Sequence, residues 1–506
     1  MSTAPLLVLT NARILGDEGW RLARIRIAGE HIERIEAAGE EGGERGALVV
    51  DCQGATVLPG FIDAHMHLLG YAATLAGVEC TPQKVASIEA LKSRLRARAE
   101  RIPSGAWIRG WGYDEFTLGR HPTRLDLDAV VPNHPVKLLH RSGHACVLNS
   151  VAMQRLGISG ETPEPSGATI ERGADGEPNG VLLEMEEELE SRGLPTLTGA
   201  DLREAVNDAF EMLLSYGVTS VHEATPPRAL ATWEMLQELA TRERLPIRVF
   251  KMVGVGDLPE LKRRGLAYQA GSDTLRVGLV KVMLSESGGA LHPGAQELRG
   301  VVERAGLAGF PVAFHGVEER TIAAALDAIK EVEPPAGARH RIEHCGVSSP
   351  ELVRRLVAAR VAVVTQPGFI YESGERYLAT VPEGEREWLY RVGTLLEAGV
   401  PVAFGSDAPV VAPDPLLGVR AAVTRESRGG RTVGLRERVS AEQALAAYSQ
   451  AGARLAGEGQ SKGWIVPGML ADLVVLNGAI ESLDVSELGS LHVAKTVVGG
   501  KVVYER

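Results

Sequence analysis

The sequence has few cysteines, few aromatic residues and no excess of basic charge. Its four cysteines are scattered along 506 residues and form no C-x-x-C pair, which argues against a disulfide framework or a structural zinc module. Lysine and arginine number 54 against 65 aspartates and glutamates, a formal net charge of −11. A protein that binds nucleic acid or an anionic membrane normally carries a basic patch or run. We therefore expect neither partner.

The chain also lacks a run of about 18 uncharged apolar residues, which a transmembrane helix would need. Its first residues have neither the basic start nor the long apolar segment of a secretory signal peptide. With 44% hydrophobic and 24% charged residues, the composition is that of a globular protein. We predict a cytoplasmic protein and leave its oligomeric state open, a homo-oligomer included.

The order of strand-like and helical patterns predicts the fold. Short β-branched or alternating runs, typical of strands, mark both ends of the chain. Between them, helical stretches alternate with short apolar runs seven or eight times, which favours a closed (β/α)₈ TIM-like barrel. We predict an α/β protein in which residues 1–58 and 463–506 form one composite β-sandwich and residues 59–462 form the barrel.

Residues 103–195 interrupt this alternation. They are rich in proline, glycine and acidic residues and have weak periodicity, and the segment is too long for an ordinary loop. We predict an inserted subdomain over the barrel mouth. Trp111, Tyr113 and Phe116 lie close together in it. They would either wall an apolar substrate pocket or form the core of the insert, and the sequence leaves both open.

The clearest chemical pattern is His65-Met-His67, at the end of a predicted strand over residues 61–67. Residues i and i+2 of a strand face the same side, so two imidazoles would converge as metal ligands do. Alone, this short motif is common. Two unrelated polar residues at a strand end remain the alternative.

Four further residues occupy similar places. His315 and His344 close predicted strands, Asp407 follows one, and Lys281 lies inside an apolar strand. Because the carboxyl ends of barrel strands form the active-site face, the set predicts a divalent metal centre in the barrel mouth. Imidazole and carboxylate ligands suit zinc, and also manganese, iron or cobalt. Zinc is the default choice, with one or two ions.

Longer stretches carry a resemblance that covers almost the whole chain. The sequence resembles the amidohydrolase superfamily, and most closely its amidohydrolase family 3 branch, which includes N-substituted formamide deformylases. The matching stretches are VLPGFIDAHMHL, WGYDEF, HPTRLDLDAVVPNHPVKLLHRSGHACVLNS, GEPNGVLLE, GVTSVHEA, RIEHC followed by VTQPGF, VAFGSDAPV with Asp414-Pro415, and PGMLADLVVLNG.

The resemblance implies a barrel with a β-sandwich and metal-dependent hydrolysis. It implies that one ion binds to His65, His67 and Asp407, and that a second binds to His315 and His344. Lys281 stands where many relatives carry a carbamylated lysine that bridges the two ions. Many members continue differently after this lysine, where the present chain reads MLSESG, so no substrate transfers from them.

The resemblance and general chemistry together assign roles. A bound metal lowers the pKa of its water to about 7, and Asp407 would hold that water, take its proton and return a proton to the leaving amine. His144 would reach the substrate carbonyl, the alternative being a structural cap in the insert. Trp111 and Tyr113 are the predicted apolar substrate contacts.

Three functions compete. The first is a metal-dependent hydrolase that cleaves a carbon–nitrogen, amide-type bond of a small molecule. The second is a heterocycle deaminase of the same superfamily. Deaminases usually use one metal and need no strand lysine, so Lys281 favours the first. The third is a non-catalytic binding protein on a retained barrel, which would most simply show a damaged set of ligands. All six candidate ligands are present, so we rank the non-catalytic function last.

Overall fold

The computed structural model describes residues 6–16, 18–39, 46–165, 167–226, 229–243, 245–287 and 289–506. The predicted domain ranges also contain residues 1–5, 17, 40–45, 166, 227, 228, 244 and 288, which lie outside the described residues.

The strands are β1 (Leu6–Gly16), β2 (Gly19–Ala28), β3 (His31–Ala37), β4 (Leu48–Asp51), β5 (Val57–Pro59), β6 (Phe61–Met66), β7 (Val78–Glu79), β8 (Ile108–Tyr113), β9 (Val136–His140), β10 (Ala145–Leu148), β11 (Thr169–Arg172), β12 (Pro178–Leu183), β13 (Val218–Glu223), β14 (Arg248–Val253), β15 (Leu275–Val282), β16 (Ser285–Ser287), β17 (Ala290–His292), β18 (Val312–Gly316), β19 (Arg341–His344), β20 (Ala362–Thr365), β21 (Val402–Phe404), β22 (Leu473–Leu476), β23 (Val493–Val498) and β24 (Lys501–Glu505).

The α-helices are α1 (Leu68–Leu75), α2 (Ile88–Ala99), α3 (Glu115–Leu118), α4 (Arg124–Asp128), α5 (Ser150–Arg155), α6 (Glu186–Ser191), α7 (Gly199–Ser215), α8 (Ala229–Glu243), α9 (Leu258–Arg263), α10 (Ala295–Leu307), α11 (Glu319–Ala328), α12 (Pro350–Ala358), α13 (Gly368–Thr380), α14 (Val392–Glu397), α15 (Pro415–Thr424), α16 (Ala441–Ala447) and α17 (Gln450–Leu455).

Eight parallel strands form the central sheet. Their order is β6, β13, β14, β15, β18, β19, β20 and β21, and every neighbouring pair is parallel. Just beyond β21, the backbone N–H of Asp407 donates to the carbonyl of His65 in β6 at 2.8 Å. The sheet is therefore nearly closed, and the predicted (β/α)₈ barrel is confirmed.

The barrel strands are buried on both faces. Strands β6, β13, β14, β19 and β20 are buried at every residue, as expected of a parallel sheet whose two faces are both covered. Mostly apolar runs such as AVVT in β20 are suited to burial on both faces of the sheet. Strand β19 has the sequence RIEH, so it buries charged side chains that need partners inside the barrel.

Two smaller sheets form an additional sheet domain. One has the order β3-β2-β1-β4 and the other β24-β23-β22-β5. Their buried side chains share one hydrophobic core, in which Leu9 and Ile25 from the start of the chain join Leu473 and Val497 from its end. These sheets and the barrel belong to one compact unit, made of Met1–His67, Phe210–Asp407 and Pro413–Arg506.

The second compact unit consists of Leu68–Ala209 and Ala408–Ala412. Its sheet has the order β11-β12-β10-β9-β8-β7. The unit starts earlier than the predicted insert at residue 103, because helix α2 packs Leu91 and Leu95 into the core formed with Ile108 and Val136. Helical periodicity in the sequence does not indicate which sheet a helix packs against. The predicted placement of the insert over the barrel mouth stays a prediction.

Across the described residues, every helix is too short or too polar to cross a lipid bilayer.

A buried ion pair ties the barrel to the sheet domain. The guanidinium of Arg248 in β14 makes two hydrogen bonds to the carboxylate of Asp472, at 2.6 and 2.9 Å. The backbone N–H of Gly499 donates to the same carboxylate at 2.8 Å. Both charged side chains are almost completely buried, so neither has water as a substitute partner.

Removing one partner should therefore destabilise this unit. We expect Asp472→Ala to lower the free energy of unfolding by about 3–5 kcal/mol, since it leaves a buried guanidinium without its counter-charge. The control is Glu351→Ala, which breaks the exposed Arg354–Glu351 pair and should cost less than about 1 kcal/mol. Thermal denaturation followed by circular dichroism measures both. Equal melting temperatures for the two variants would contradict this assignment.

Candidate metal centre

The predicted metal ligands lie at or near the carboxyl ends of the barrel strands. His65 lies in β6, Lys281 in β15, and His344 ends β19. Asp407 follows β21, and its backbone N–H binds to the carbonyl of His65. Parallel strands present their carboxyl ends at one edge of the barrel. Residues more than 300 positions apart in the sequence thus come together.

Three of these side chains form a compact group. Ligand atoms of His65, His344 and Asp407 all lie within 4.8 Å of one another, and all three residues are buried. The carboxylate oxygen Oδ1 of Asp407 lies 3.4 Å from Nε2 of His65 and 3.2 Å from Nε2 of His67. The ring of His315 lies 4.5 Å from the ring of His344, measured between centroids. These four histidines and Asp407 therefore lie close together, and their role as metal ligands stays a prediction.

Three buried polar atoms among the predicted ligands make no hydrogen bond to any described residue. They are Nε2 of His65, Oδ1 of Asp407 and Nζ of Lys281. A buried donor or acceptor without a partner is costly, and native structures pair nearly all such atoms with protein, water or an ion. Imidazole nitrogen and carboxylate oxygen are the usual zinc ligands. The donor set therefore fits a divalent metal ion.

Glu343 and Arg341 fix the orientation of His65. Nδ1 of His65 lies 2.5 Å from Oε2 of Glu343. The guanidinium of Arg341 donates to both oxygens of Glu343, at 2.8 and 3.1 Å, and all three side chains are fully buried. Burial opposes the charge of Glu343, but Arg341 and His65 outweigh it and hold its pKa below the usual range. His65 therefore donates from Nδ1 and directs its Nε2 lone pair toward Asp407.

A longer chain of hydrogen bonds holds His67. Its Nδ1 lies 2.9 Å from the hydroxyl oxygen of Thr225, and that hydroxyl donates its proton to Glu223 at 2.5 Å. Glu223 in turn forms a fully buried ion pair with Lys251 at 2.6 Å. Because the hydroxyl proton is committed to Glu223, Nδ1 of His67 must be the donor to Thr225. The Nε2 lone pair of His67 is then available as a metal ligand.

His344 has a neutral partner. Its Nδ1 donates to the side-chain carbonyl of Gln366 at 2.9 Å, which leaves Nε2 available as a metal ligand. The backbone at His344 and Asp407 is left-handed, with φ of 68° and 58°. Non-glycine residues adopt this region at a cost of about 1–3 kcal/mol and persist there mainly at functional sites. The fold thus holds both ligands in conformations that isolated strands would avoid.

Burial and neighbouring charge shift the pKa values of the cluster. Burial lowers the pKa of Lys281 to about 8, although Glu343 and Asp407 act in the opposite direction. Burial also lowers the pKa of His344 to about 3. For Asp407, burial favours the neutral acid, but contact with His344 and His65 outweighs this and lowers its pKa well below the usual range. The centre therefore combines an ionised carboxylate at Asp407 with a neutral imidazole at His344.

The predicted substrate-contacting residues belong to the second compact unit. His144 is about half exposed, and its Nδ1 lies 2.9 Å from Oε1 of Glu184. Tyr113 is fully buried in the core of that unit, which is the alternative that the sequence left open for these aromatic residues. Trp111 buries its indole N–H without a hydrogen bond to any described residue, whereas Phe116 is 48% exposed. The substrate-binding roles of His144, Trp111 and Tyr113 stay predictions.

The same unit contains a second acidic and histidine group, which sequence reasoning missed. Ligand atoms of Asp114, Glu115 and His140 lie within 4.8 Å of one another. Both ring nitrogens of His140 already have partners, Glu115 at 2.6 Å and Ser142 at 2.8 Å. Asp114 caps the short helix α3. This group therefore differs from the barrel cluster, in which unpartnered atoms converge.

Sequence reasoning also missed the residues that orient the histidine ligands. Arg341, Glu343, Glu223 and Lys251 all lie in fully buried barrel strands. The available signal was a charged side chain inside an otherwise apolar strand, as in RIEH and RVFKMV. A charge in such a place requires a specific partner, and here the partners lead to His65 and His67 of the candidate metal centre.

His222 and Cys345 are also buried in the barrel, and neither belongs to the candidate ligand group. Nδ1 of His222 accepts a hydrogen bond from Arg341 at 3.1 Å, and its ring packs against Phe250. Burial raises the pKa of the Cys345 thiol to about 12. A thiol with such a pKa forms almost no thiolate near neutral pH, so Cys345 is a poor nucleophile.

Comparison with known proteins decides the family. The model of an amidohydrolase family matches residues 48–504, nearly the whole chain. The chain belongs to this amidohydrolase family. The family predicted from the sequence motifs is thus confirmed, and the protein is a hydrolase.

Individual relatives agree with the family assignment. The amidohydrolase is 31% identical over 513 residues to the N-substituted formamide deformylase of Arthrobacter pascens, with 94% of each chain covered. It resembles the crystal structure of an uncharacterized metal-dependent hydrolase from Pyrococcus horikoshii OT3, with a TM-score of 0.74, 26% identity, and coverage of 93% of this chain and 97% of that one. A Pyrococcus furiosus structure of the same description gives a TM-score of 0.72, also at 26% identity, covering 93% and 98% of the two chains.

The geometry predicts that His65 and His67 are required for metal binding by this amidohydrolase. We expect the double variant His65→Ala/His67→Ala to lose bound metal because it removes both imidazoles that lie within 3.4 Å of the Asp407 carboxylate oxygen. Elemental analysis of the purified variant measures this, and circular dichroism checks that the barrel remains folded. The exposed His31→Ala should retain the wild-type metal content. Full metal occupancy in the folded double variant would contradict the assignment.

Proposed function

We propose that this amidohydrolase is a metal-dependent enzyme that hydrolyses a carbon–nitrogen, amide-type bond of a small molecule. The observation that carries the proposal is the group of buried ligand atoms from His65, His344 and Asp407 at the carboxyl ends of the barrel strands. In this group, Nε2 of His65 and Oδ1 of Asp407 have no hydrogen-bond partner among the described residues. In a barrel enzyme this end is where catalytic residues lie.

The residues divide into two candidate ligand groups, with zinc as the default metal. His65, His67 and Asp407 would hold one ion, and His315 and His344 would hold a second. A divalent ion bound there would lower the pKa of a water molecule to about 7 and polarise the scissile carbonyl. The protein's own contribution is to fix the Nε2 lone pairs of His65, His67 and His344 through their Nδ1 partners.

Asp407 is the proposed proton carrier. One of its oxygens lies between the Nε2 atoms of His65 and His67, and the contacts with histidine keep the carboxylate ionised. An ionised carboxylate can take the proton of the attacking water and then deliver a proton to the departing amine nitrogen. Breaking the carbon–nitrogen bond needs this delivery, since an amide anion is a poor leaving group.

Lys281 is the proposed source of an additional anionic ligand. Its amine is completely buried, has no hydrogen-bond partner among the described residues, and has a pKa lowered to about 8 by burial. A neutral amine can react with carbon dioxide to form a carbamate and release a proton, which replaces a cation by an anion. Two divalent ions among four imidazoles and one carboxylate would be short of negative charge, and the carbamate would supply it.

The substrate class rests on the relative rather than on the site. Similarity to the N-substituted formamide deformylase supports an N-substituted amide, with formamides as the first compounds to test. The experiment incubates the purified, metal-analysed protein with N-formyl and N-acyl amines and with aminated heterocycles. Release of an amine together with a carboxylic acid supports the proposal. Release of ammonia from a heterocycle, without amide cleavage, would favour a deaminase.

Asp407→Asn tests the proton carrier. The amide keeps the size of the carboxylate but cannot accept the water's proton, so we expect turnover to fall by about 10²–10⁴-fold with little change in substrate binding. The matched control is Asp414→Asn, at the N-cap of α15, where asparagine caps about as well as aspartate. Steady-state kinetics at pH 7 measure both. Near-normal turnover in Asp407→Asn would remove Asp407 from this role.

Lys281→Ala tests the additional anion. We expect this variant to bind one metal ion fewer and to lose activity, and added propionate to restore part of both because it returns a carboxylate to the space. Propylamine is the control, since it has a similar size but returns a cation. Metal analysis and turnover are measured with each additive. Unchanged metal content and turnover in Lys281→Ala would exclude a bridging role for Lys281.

A further inference from the structure

Met283 is an exposed apolar residue directly after barrel strand β15. It is 42% exposed, whereas its neighbours Lys281, Val282 and Leu284 are buried. A single exposed apolar residue is ordinary on a protein surface. What Met283 can do therefore depends on where it lies relative to the candidate metal centre.

The alternation of side chains along β15 turns Met283 toward that centre. The charges of Glu343 and Asp407 act on the amine of Lys281, and this amine is buried inside the barrel. Residues i and i+2 of an extended strand face the same side. Met283 therefore follows Lys281 on the side of β15 that faces the centre, and the next residue, Leu284, is completely buried.

The pairing of β15 with β18 gives the same location independently. The two strands are parallel, with Val282 opposite Phe314. The next step in this register sets Met283 beside His315, whose ring lies 4.5 Å from the ring of His344 between centroids. Met283 is therefore an exposed apolar side chain at the edge of the histidine cluster.

The segment that follows Met283 is held in place. Strands β16 and β17 form an antiparallel hairpin. Arg320 of α11 donates to the carboxylate of Glu286 at 2.5 Å and to the backbone carbonyl of Gly289 at 2.7 Å. The backbone of Met283 thus lies between a buried barrel strand and a tethered hairpin. Its unbranched thioether side chain has three rotatable bonds and adapts to apolar groups of different shape.

Resting on the proposed function, we propose that Met283 determines substrate specificity by contacting an apolar N-substituent of the amide. The carbonyl carbon of a formamide carries only hydrogen besides its nitrogen, so the N-substituent is the part that can extend to a side chain at the edge of the cluster. The substrate class that follows is the formamides of alkyl or benzyl amines. A charged N-substituent would lose this contact and place its charge against an apolar surface.

The test compares kcat/KM for N-methylformamide and N-butylformamide. In the wild-type protein we expect kcat/KM to be at least about tenfold higher for the butyl compound, since each methylene removed from water contributes up to about fourfold. Met283→Ala should reduce this preference to less than about threefold by lowering kcat/KM for N-butylformamide. Met283→Leu keeps an apolar side chain of similar volume and should retain the preference. The matched surface control is Leu307→Ala, which truncates a 91% exposed residue at the end of α10 and should change neither value.

Two further measurements test the contact itself. Met283→Glu should lower kcat/KM for N-butylformamide and raise it for N-(4-aminobutyl)formamide, whose ammonium can pair with the introduced carboxylate. Calorimetry with N-hydroxyformamides measures binding without turnover. We expect N-butyl-N-hydroxyformamide to bind to the wild-type protein about tenfold more tightly than its N-methyl counterpart, and Met283→Ala to remove most of this difference. Circular dichroism confirms that each variant is folded.

The outcomes separate this specificity from the proposed hydrolysis. Equal kcat/KM for the two formamides in the wild-type protein would overturn the role of Met283 and leave the hydrolysis intact. A preference for N-butylformamide that Met283→Ala retains would also overturn it, because another part of the protein would then supply the contact. Wild-type protein that cleaves no amide would refute the proposed function and the role of Met283 with it. Loss of the preference in Met283→Ala, with its retention in Met283→Leu and Leu307→Ala, supports the proposal.

Discussion

The hydrogen bond from the Asp407 backbone to the His65 carbonyl is the interaction on which the centre depends. It joins the segment after the last barrel strand to the first strand and places the Asp407 carboxylate against His65 and His67. Gly405 makes this approach close: a Cβ there would lie 2.6 Å from the His65 backbone nitrogen. Only glycine fits without displacing the backbone. Closure of the barrel and assembly of the metal centre are thus one structural event.

Closure places charge in the interior, and the fold compensates it with fixed partners. Glu343 with Arg341 and Glu223 with Lys251 are ion pairs with no exposed side-chain surface. Buried pairs give little net stability, but losing one partner is strongly destabilising. Here each pair extends by hydrogen bonds to a histidine of the candidate metal centre. Their physical role is to hold the imidazole rings in one tautomer and one orientation.

The sequence indicated the candidate ligands but not the residues that orient them. His65 and His67 were chosen because i and i+2 share a face of a strand, and His344 and Asp407 because barrel strand ends converge. Glu343 was missed because its partner, His65, lies 278 residues away and only the closed barrel brings them together. The barrel followed from the alternation of strands and helices. The start of the second compact unit could not be predicted in this way, because the helical periodicity of α2 is the same whichever sheet the helix packs against.

The proposed function requires that the atoms converging on Asp407 form a metal centre that performs hydrolysis. The most direct measurement removes all metal with a chelator, adds zinc back in steps, and follows both bound zinc and the rate of amine release from the best N-substituted amide. We expect the metal-free protein to be inactive and its rate to rise in proportion to bound zinc. Full amine release by protein with no bound metal would contradict it.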